Sequence, residues 1–175
     1  MKIFDKILGK KENSLPSIPT EKNTVYAPVS GNLIVLVDFP DEAFSEGVLG
    51  PGCGIEPNEE IINAPFEGEV VQLHDSQHAL GLLSNDGVEL LIHVGIDTVS
   101  MKGKGFKALI KEGDKFVTGQ NLLKFSIAEI QKAGFNTAIA VIITNSGDYE
   151  TVNVVPPGVV SVGSPIIRLF GKAGG

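Results

Sequence analysis

The residues best suited to chemistry in this sequence are two histidines, His78 and His93, each set in an apolar, strand-like stretch. His93 lies in Gly87-Val88-Glu89-Leu90-Leu91-Ile92-His93-Val94-Gly95-Ile96-Asp97-Thr98-Val99. The strand period of two puts Val88, Leu90, Ile92, Val94 and Ile96 on one face, which reads as core. Glu89, Leu91, His93, Gly95 and Asp97 fall on the other. Gly95 leaves room beside the imidazole for another backbone or a phosphate, and Leu91 shelters the ring. Asp97 stands roughly 13 Å from His93 on an extended strand, so it is expected to flank the site rather than bond the ring. His78 sits in Asp75-Ser76-Gln77-His78-Ala79-Leu80. If residues 81–86 turn the chain back, strand 78–83 pairs antiparallel with 88–92 and the two imidazoles approach across the hairpin. Imidazole is nucleophilic near neutral pH without the activation that Ser or Lys needs, which suits reversible acceptance of a phosphoryl group. The second ring can hydrogen-bond that group and stabilise developing charge. A purely structural strand histidine remains the other reading of these residues.

The rest of the chain supplies the elements that hold the two rings. Its 175 residues suffice for one domain, and 42% hydrophobic with 20% charged residues is the composition of a chain with a real core. Gly 21, Pro 10, no Trp and many Val and Ile favour short strands separated by tight turns. An all-β antiparallel sandwich or barrel with few short helices follows. Two echoes point to a duplicated motif. Ala27-Pro28-x-x-Gly31 before Leu33 matches Ala64-Pro65-x-x-Gly68 before Val70, and Val117-x-Gly119-x-x-Leu122-Leu123 matches Ser161-x-Gly163-x-x-Ile166-Ile167. Within the domain, helix is expected only over residues 106–111 and 127–133. Residues 1–12 form an amphipathic pattern with Ile3, Phe4, Ile7 and Leu8 on one side of a helix, which reads either as a peripheral contact with a membrane surface or as a frayed terminus, and 13–24 read as a linker before a domain over 25–175.

Composition also excludes some functions. A net charge of −7 argues against nucleic-acid binding, which needs clustered Lys and Arg. The single cysteine, Cys53, cannot form an intramolecular disulfide and fits a reducing cytoplasm. It lies in the turn-like Gly50-Pro51-Gly52-Cys53-Gly54. No window approaches the apolar length of a membrane span.

The runs LLIHVGIDTV, SQHAL, MKGKGF, EGDKFVTGQ and APVSGNLIVL resemble the glucose-type IIA component of the bacterial phosphoenolpyruvate-dependent sugar phosphotransferase system, over nearly the whole chain. The resemblance implies a compact antiparallel β-sandwich with a duplicated hybrid-barrel motif. It implies that His93 accepts a phosphoryl group from the phosphohistidine carrier HPr and passes it to a cysteine on the IIB domain of a glucose-type permease. His78 would position and stabilise that group, with Ser76, where relatives have Thr, hydrogen-bonding within the pair. Asp41 and Asp97 would rim the site, and Ala43, Phe44, Val48, Leu80, Leu91 and Val99 would form an apolar docking ring. In-line transfer between two proteins needs such a dry, oriented contact more than an acid or base. The resemblance further implies regulatory binding to non-PTS permeases and glycerol kinase, and a zinc ion shared by His78, His93 and a partner carboxylate, with no cofactor required for transfer. His74 stands where enteric relatives carry a phenylalanine of the docking ring, and Ser100 where they carry glutamate. His74 is expected to be a solvent-exposed strand-end residue, and Cys53 a small turn residue.

Two other classes meet specific obstacles. A zinc hydrolase using His78, His93 and Asp97 would lack the H-x-H of endopeptidases with a similar fold. A biotinyl or lipoyl carrier would place its lysine at a hairpin tip, but Ser100-Met101-Lys102-Gly103 lacks the flanking residues of both. The sequence therefore reads as a free-standing cytoplasmic phosphocarrier opened by an amphipathic leader, with no permease segment or IIB signature.

Overall fold

A computed structural model describes residues 20–172. The expected helix over 1–12 lies outside the described residues, as does most of the linker. The strands are β1 (Thr24–Tyr26), β2 (Gly31–Val35), β3 (Gly52–Pro57), β4 (Ile61–Asn63), β5 (Gly68–Leu73), β6 (Ala79–Ser84), β7 (Glu89–Val94), β8 (Phe106–Ala108), β9 (Lys115–Phe116), β10 (Asn121–Phe125), β11 (Ile139–Ile143), β12 (Tyr149–Val154), β13 (Gly158–Val160) and β14 (Pro165–Lys172). Two short helices interrupt them, α1 (Glu42–Ser45) and α2 (Ile127–Lys132). An eight-stranded sheet runs β13-β2-β3-β11-β7-β6-β5-β9, beside three-stranded sheets β1-β14-β12 and β4-β10-β8. Among the described residues every strand pairing is antiparallel, so the all-β expectation holds.

The sequence echoes mark a true internal duplication. β1 and β4 each pair with the strand that follows the second echo, through Val25↔Ile167 and Ile62↔Leu123. Their ends interlock reciprocally: Tyr26 N–H donates to Pro65 O at 2.9 Å, and Asn63 N–H to Pro28 O at 2.7 Å. Ala27 and Ala64 donate in the same way to Ser164 O and Gln120 O. The closing glycine of each A-P-x-x-G is required by close approach. A Cβ on Gly31 would overlap the Glu56 carbonyl oxygen, and one on Gly68 the Leu83 carbonyl oxygen.

The core divides into a large cluster inside the sheets, including Leu33, Ile92, Leu122 and Ile167, and a smaller one on the outer face of the eight-stranded sheet. The smaller cluster joins Phe39 and Phe44 to Ala138, Ala140 and Ile142. β11 feeds both, since Ile139, Val141 and Ile143 point into the first and Ala140 and Ile142 into the second. That is the continuous apolar run of a strand buried on both faces.

Three sequence expectations are corrected here. Residues 106–108 form β8 rather than a helical turn, because Phe106 is buried and pairs opposite Phe125 on β10. Cys53 is a fully buried residue of β3, paired with Val35 and Val141, and not part of a turn. Its neighbouring glycines are there for closeness: a Cβ on Gly52 would overlap the Val141 carbonyl oxygen, and one on Gly54 would press on Phe39 and Ile34. Ile96 packs with the outer cluster instead of sharing the core face of Val94. Gly95, at φ +76°, ends the extended alternation between them. The helix expected near residue 127 is present as α2, with Ser126 Oγ capping it by accepting from Glu129 N–H at 3.1 Å.

Candidate functional site

β6 and β7 form the expected hairpin, with Ala79 opposite His93 and Leu80 opposite Ile92, but residues 81–84 continue β6 and the turn lies at 85–88 rather than 81–86. On the other side of β7 the residue opposite His93 is Ala140. Small side chains on both flanks leave the imidazole room on the outer face of the sheet. Phe44 of α1 closes one side, its ring 5.2 Å from that of His93, and Phe39 backs Phe44 edge-on at 5.4 Å. Asp41 fixes α1 as its N-cap, accepting from Ala43 N–H at 2.9 Å.

His93 is oriented by its own strand end. Its Nδ1 lies 2.8 Å from the Gly95 carbonyl oxygen. A carbonyl only accepts, so Nδ1 carries the proton and Nε2 presents a lone pair. The turn that aims this carbonyl is held at several points. Gly95 N–H donates to Ala138 O and Ile96 N–H to Asn136 O, both at 3.0 Å. The buried Thr98 hydroxyl donates to Val94 O at 2.6 Å. A Cβ on Gly95 would overlap Thr98 Cγ2 and sit 3.0 Å from Asn136 O, and the positive φ adds strain. The spacing from Gly95 to Thr98 thus serves the His93 ring.

His78 precedes β6, and its carbonyl accepts from Val94 N–H at 2.8 Å. Its ring is 3% exposed and meets His93 edge-on at a centroid distance of 4.9 Å. His78 Nδ1 is buried without a hydrogen-bond partner, so Nε2 is the nitrogen available to the surface. The turn before it is tightly closed: His74 N–H donates to Ala79 O, Gln77 N–H to His74 O, and Gln77 Oε1 accepts from Ala108 N–H. Burial, with His93 and His74 adding to it, pushes the His78 imidazole down to about 4. Burial also lowers His93, although the Gly95 carbonyl and the Asp41 and Asp97 carboxylates pull the other way. Both rings are therefore neutral near pH 7, the state in which Nε2 of His93 is a nucleophile.

The remaining candidate residues differ in how they meet the site. Leu91 and Val99 line the same cleft of about 370 Å³ as the histidines. Asp41 is half-buried, and Asp97 is exposed in the left-handed region at φ 59°. Ala43 and Val48 are exposed beside Phe44, whose own side chain is only 6% exposed and serves as a wall of the His93 pocket. Leu80 is a correction: it also lines the cleft, but its side chain is fully buried in the main core, on the opposite face of β6 from Ala79, so it opens no apolar surface to a partner. Ser76 is another. Among the described residues its hydroxyl makes no hydrogen bond to either ring, while its backbone N–H donates to His74 Nδ1 at 3.1 Å. His74 is exposed as expected, yet it belongs to the site, its ring lying 4.5 Å from that of His78 and lining the cleft. Ala79, Ala140 and Phe39 were invisible in the sequence because their roles depend on register and on packing between distant elements.

Known proteins share both sequence and fold. Residues 23–149 match the model of the phosphoenolpyruvate-dependent sugar phosphotransferase system, EIIA 1 family. The chain is 39% identical over 145 residues to the PTS system glucose-specific EIIA component of Halalkalibacterium halodurans, covering 82% of this chain and 83% of that protein. It is 40% identical over 143 residues to the PTS system glucose-specific EIICBA component of Staphylococcus carnosus, covering 82% of this chain but 21% of that protein. The solved structure of glucose permease IIA from Mycoplasma capricolum superposes with a TM-score of 0.78 at 32% identity, covering 85% of this chain and 96% of that one.

Proposed function

Because the chain belongs to the glucose-type EIIA family of the sugar phosphotransferase system, we propose that His93 is its phosphoryl acceptor and Nε2 the atom that is phosphorylated. The observation that carries this reading is the bond from His93 Nδ1 to the Gly95 carbonyl, which leaves the Nε2 lone pair free. In the forward step Nε2 attacks the phosphorus of phospho-HPr in line, and the donor's nitrogen–phosphorus bond breaks. In the second step a thiolate on a IIB domain attacks the same phosphorus and releases Nε2. No proton need move to the leaving imidazole of His93 during that release, because Nδ1 keeps its proton throughout. His78 faces the reacting nitrogen from across the hairpin and would donate from Nε2 to a phosphoryl oxygen once it holds a proton there. The walls formed by Phe44, Leu91 and Val99 keep water from the phosphorus when a partner covers the cleft.

The docking partners would seat on the exposed Ala43, Val48 and Val99, with Asp41 and Asp97 meeting basic residues. HPr and a IIB domain would use this face in turn. Regulatory binding to non-PTS permeases or glycerol kinase would occupy the same face in the unphosphorylated protein. His78 and His93 supply two imidazole nitrogens of the kind zinc takes. Among the described residues no group of three His, Cys, Asp or Glu could hold a metal ion, so a zinc here needs a ligand from the partner. Among the described residues no helix is long and apolar enough to cross a membrane.

Incubation with phosphoenolpyruvate, the first enzyme of the system and HPr, followed by intact mass, tests the proposal. Wild type and His78→Ala should gain one acid-labile phosphoryl group, and His93→Ala none. Labelling of His93→Ala at the wild-type level would refute it.

A further inference from the structure

The phosphoryl group proposed for His93 would enter a cleft with little to balance its charge. Among the described residues that line it there is no lysine or arginine. The carboxylates of Asp41 and Asp97 are near enough to act on His93 electrostatically, and they are of the wrong sign. A phosphoryl dianion has three acceptor oxygens, and one donor from His78 leaves most of that capacity unmet. The cleft holds one more imidazole. His74 projects from the turn before β6, with its ring edge-on to His78 at 4.5 Å and 61°.

Its tautomer is set by the backbone. Ser76 N–H donates to His74 Nδ1 at 3.1 Å. With Nδ1 accepting, the proton of the neutral ring resides on Nε2, at the far end of the ring from the main chain. The turn carrying it is closed by His74 N–H to Ala79 O and Gln77 N–H to His74 O, so the ring stands on a fixed base. A donor held in place before the phosphoryl group arrives costs no reorganisation at that moment. His74 is also exposed and contributes to neither hydrophobic cluster, so the fold does not explain an imidazole at this position.

We infer that His74 is a further phosphoryl-binding residue, donating a hydrogen bond from Nε2 to an oxygen of the group on His93. His74 and His78 then grip the group together, His78 from the buried side and His74 from the solvent side. This rests on the carrier reading above.

The test compares wild type with His74→Gln, which keeps an N–H near the place of Nε2, and His74→Phe, which keeps the ring shape without a donor. All three should unfold at the same urea midpoint, since the side chain is exposed. With phospho-HPr as donor, His74→Phe should lower the phosphoryl-transfer equilibrium constant roughly five- to tenfold, the worth of one hydrogen bond to a charged group at an exposed site. His74→Gln should stay within about twofold of wild type on the same grounds. In wild type, the His74 ring N–H resonance should move downfield on phosphorylation. Equal equilibrium constants for wild type and His74→Phe, with unmoved His74 resonances, would overturn the inference while leaving the carrier reading intact. Equal losses in the Gln and Phe variants would overturn it too. Failure of wild type to take any phosphoryl group would overturn the carrier reading, and this inference with it.

Discussion

Replacing Gly95 with alanine should damage the proposed phosphoryl acceptor, His93, through its hydrogen-bond partner, without touching the imidazole. Gly95 sits at φ +76°, where an alanine costs about 1–2 kcal/mol. The new Cβ would overlap Thr98 Cγ2 and lie 3.0 Å from Asn136 O. Overpacking of this kind adds about 1–3 kcal/mol, for a total of about 2–5 kcal/mol. That is a large share of the roughly 5–15 kcal/mol that holds a domain folded. Part of the strain is relieved by shifting the Gly95 carbonyl, and a shift of a few tenths of an ångström loosens its 2.8 Å contact with His93 Nδ1. Thr98→Ser provides the internal control, because it removes Cγ2 but keeps the hydroxyl that donates to Val94 O. Alone it should cost about 1 kcal/mol for the lost buried methyl. The double variant should be about 1–2 kcal/mol more stable than the sum of the single effects, because the two changed groups compete for one space. Urea unfolding of the four proteins measures this interaction energy, and the ¹⁵N shifts of His93 report whether Nδ1 still carries the proton. Strict additivity, or an alanine variant as stable as wild type, would refute the reasoning about this turn.

Other expectations follow from the same structure. His78 titrates near 4 in the folded protein against 6.5 for the free side chain, so the unfolded chain takes up a proton first as pH falls. Stability present above pH 6.5 should be lost progressively toward pH 4, by up to about 3 kcal/mol, and His78→Gln should flatten that part of a urea-unfolding pH series. Gly31→Ala and Gly68→Ala should each destabilise by more than about 2 kcal/mol and by similar amounts, because each Cβ meets a carbonyl oxygen in equivalent halves of the duplication; thermal unfolding of the two variants checks this. Cys53 is fully buried and its thiol is pushed up to about 12, so a thiol reagent at pH 8 should label it only at the rate of unfolding.

Much of the site was legible because strand periodicity and hairpin pairing are local. The alternation from Val88 to Val94 and a chain reversal just before it, which falls at residues 85–88 instead of 81–86, bring His78 and His93 together by local pairing. The duplication was legible for a related reason: close backbone approach leaves glycine at Gly31 and Gly68, and that requirement recurs in both halves. The same residue type misled at Cys53, where Gly52 and Gly54 suggested a turn but instead admit neighbouring strands and side chains. Residues near Phe106 suggested a helix because the partner that makes them a strand, β10, comes later in the chain. The resemblance carried Leu80 into a docking ring, although its alternation with Ala79 and Gly81 points it inward. His74 was named at a docking-ring position but read as a plain exposed residue, because only the fold of the turn from His74 to Ala79 brings its ring against His78.

The proposed function puts the phosphoryl group on one nitrogen of one ring, Nε2 of His93. Long-range ¹⁵N–³¹P correlation on the phosphorylated, ¹⁵N-histidine-labelled protein measures this directly. Phosphorus coupled to Nε2 of His93, with Nδ1 still bearing its proton toward Gly95, is the result the proposal predicts. Phosphorus on Nδ1 of His93, or on either ring nitrogen of His74 or His78, would contradict it.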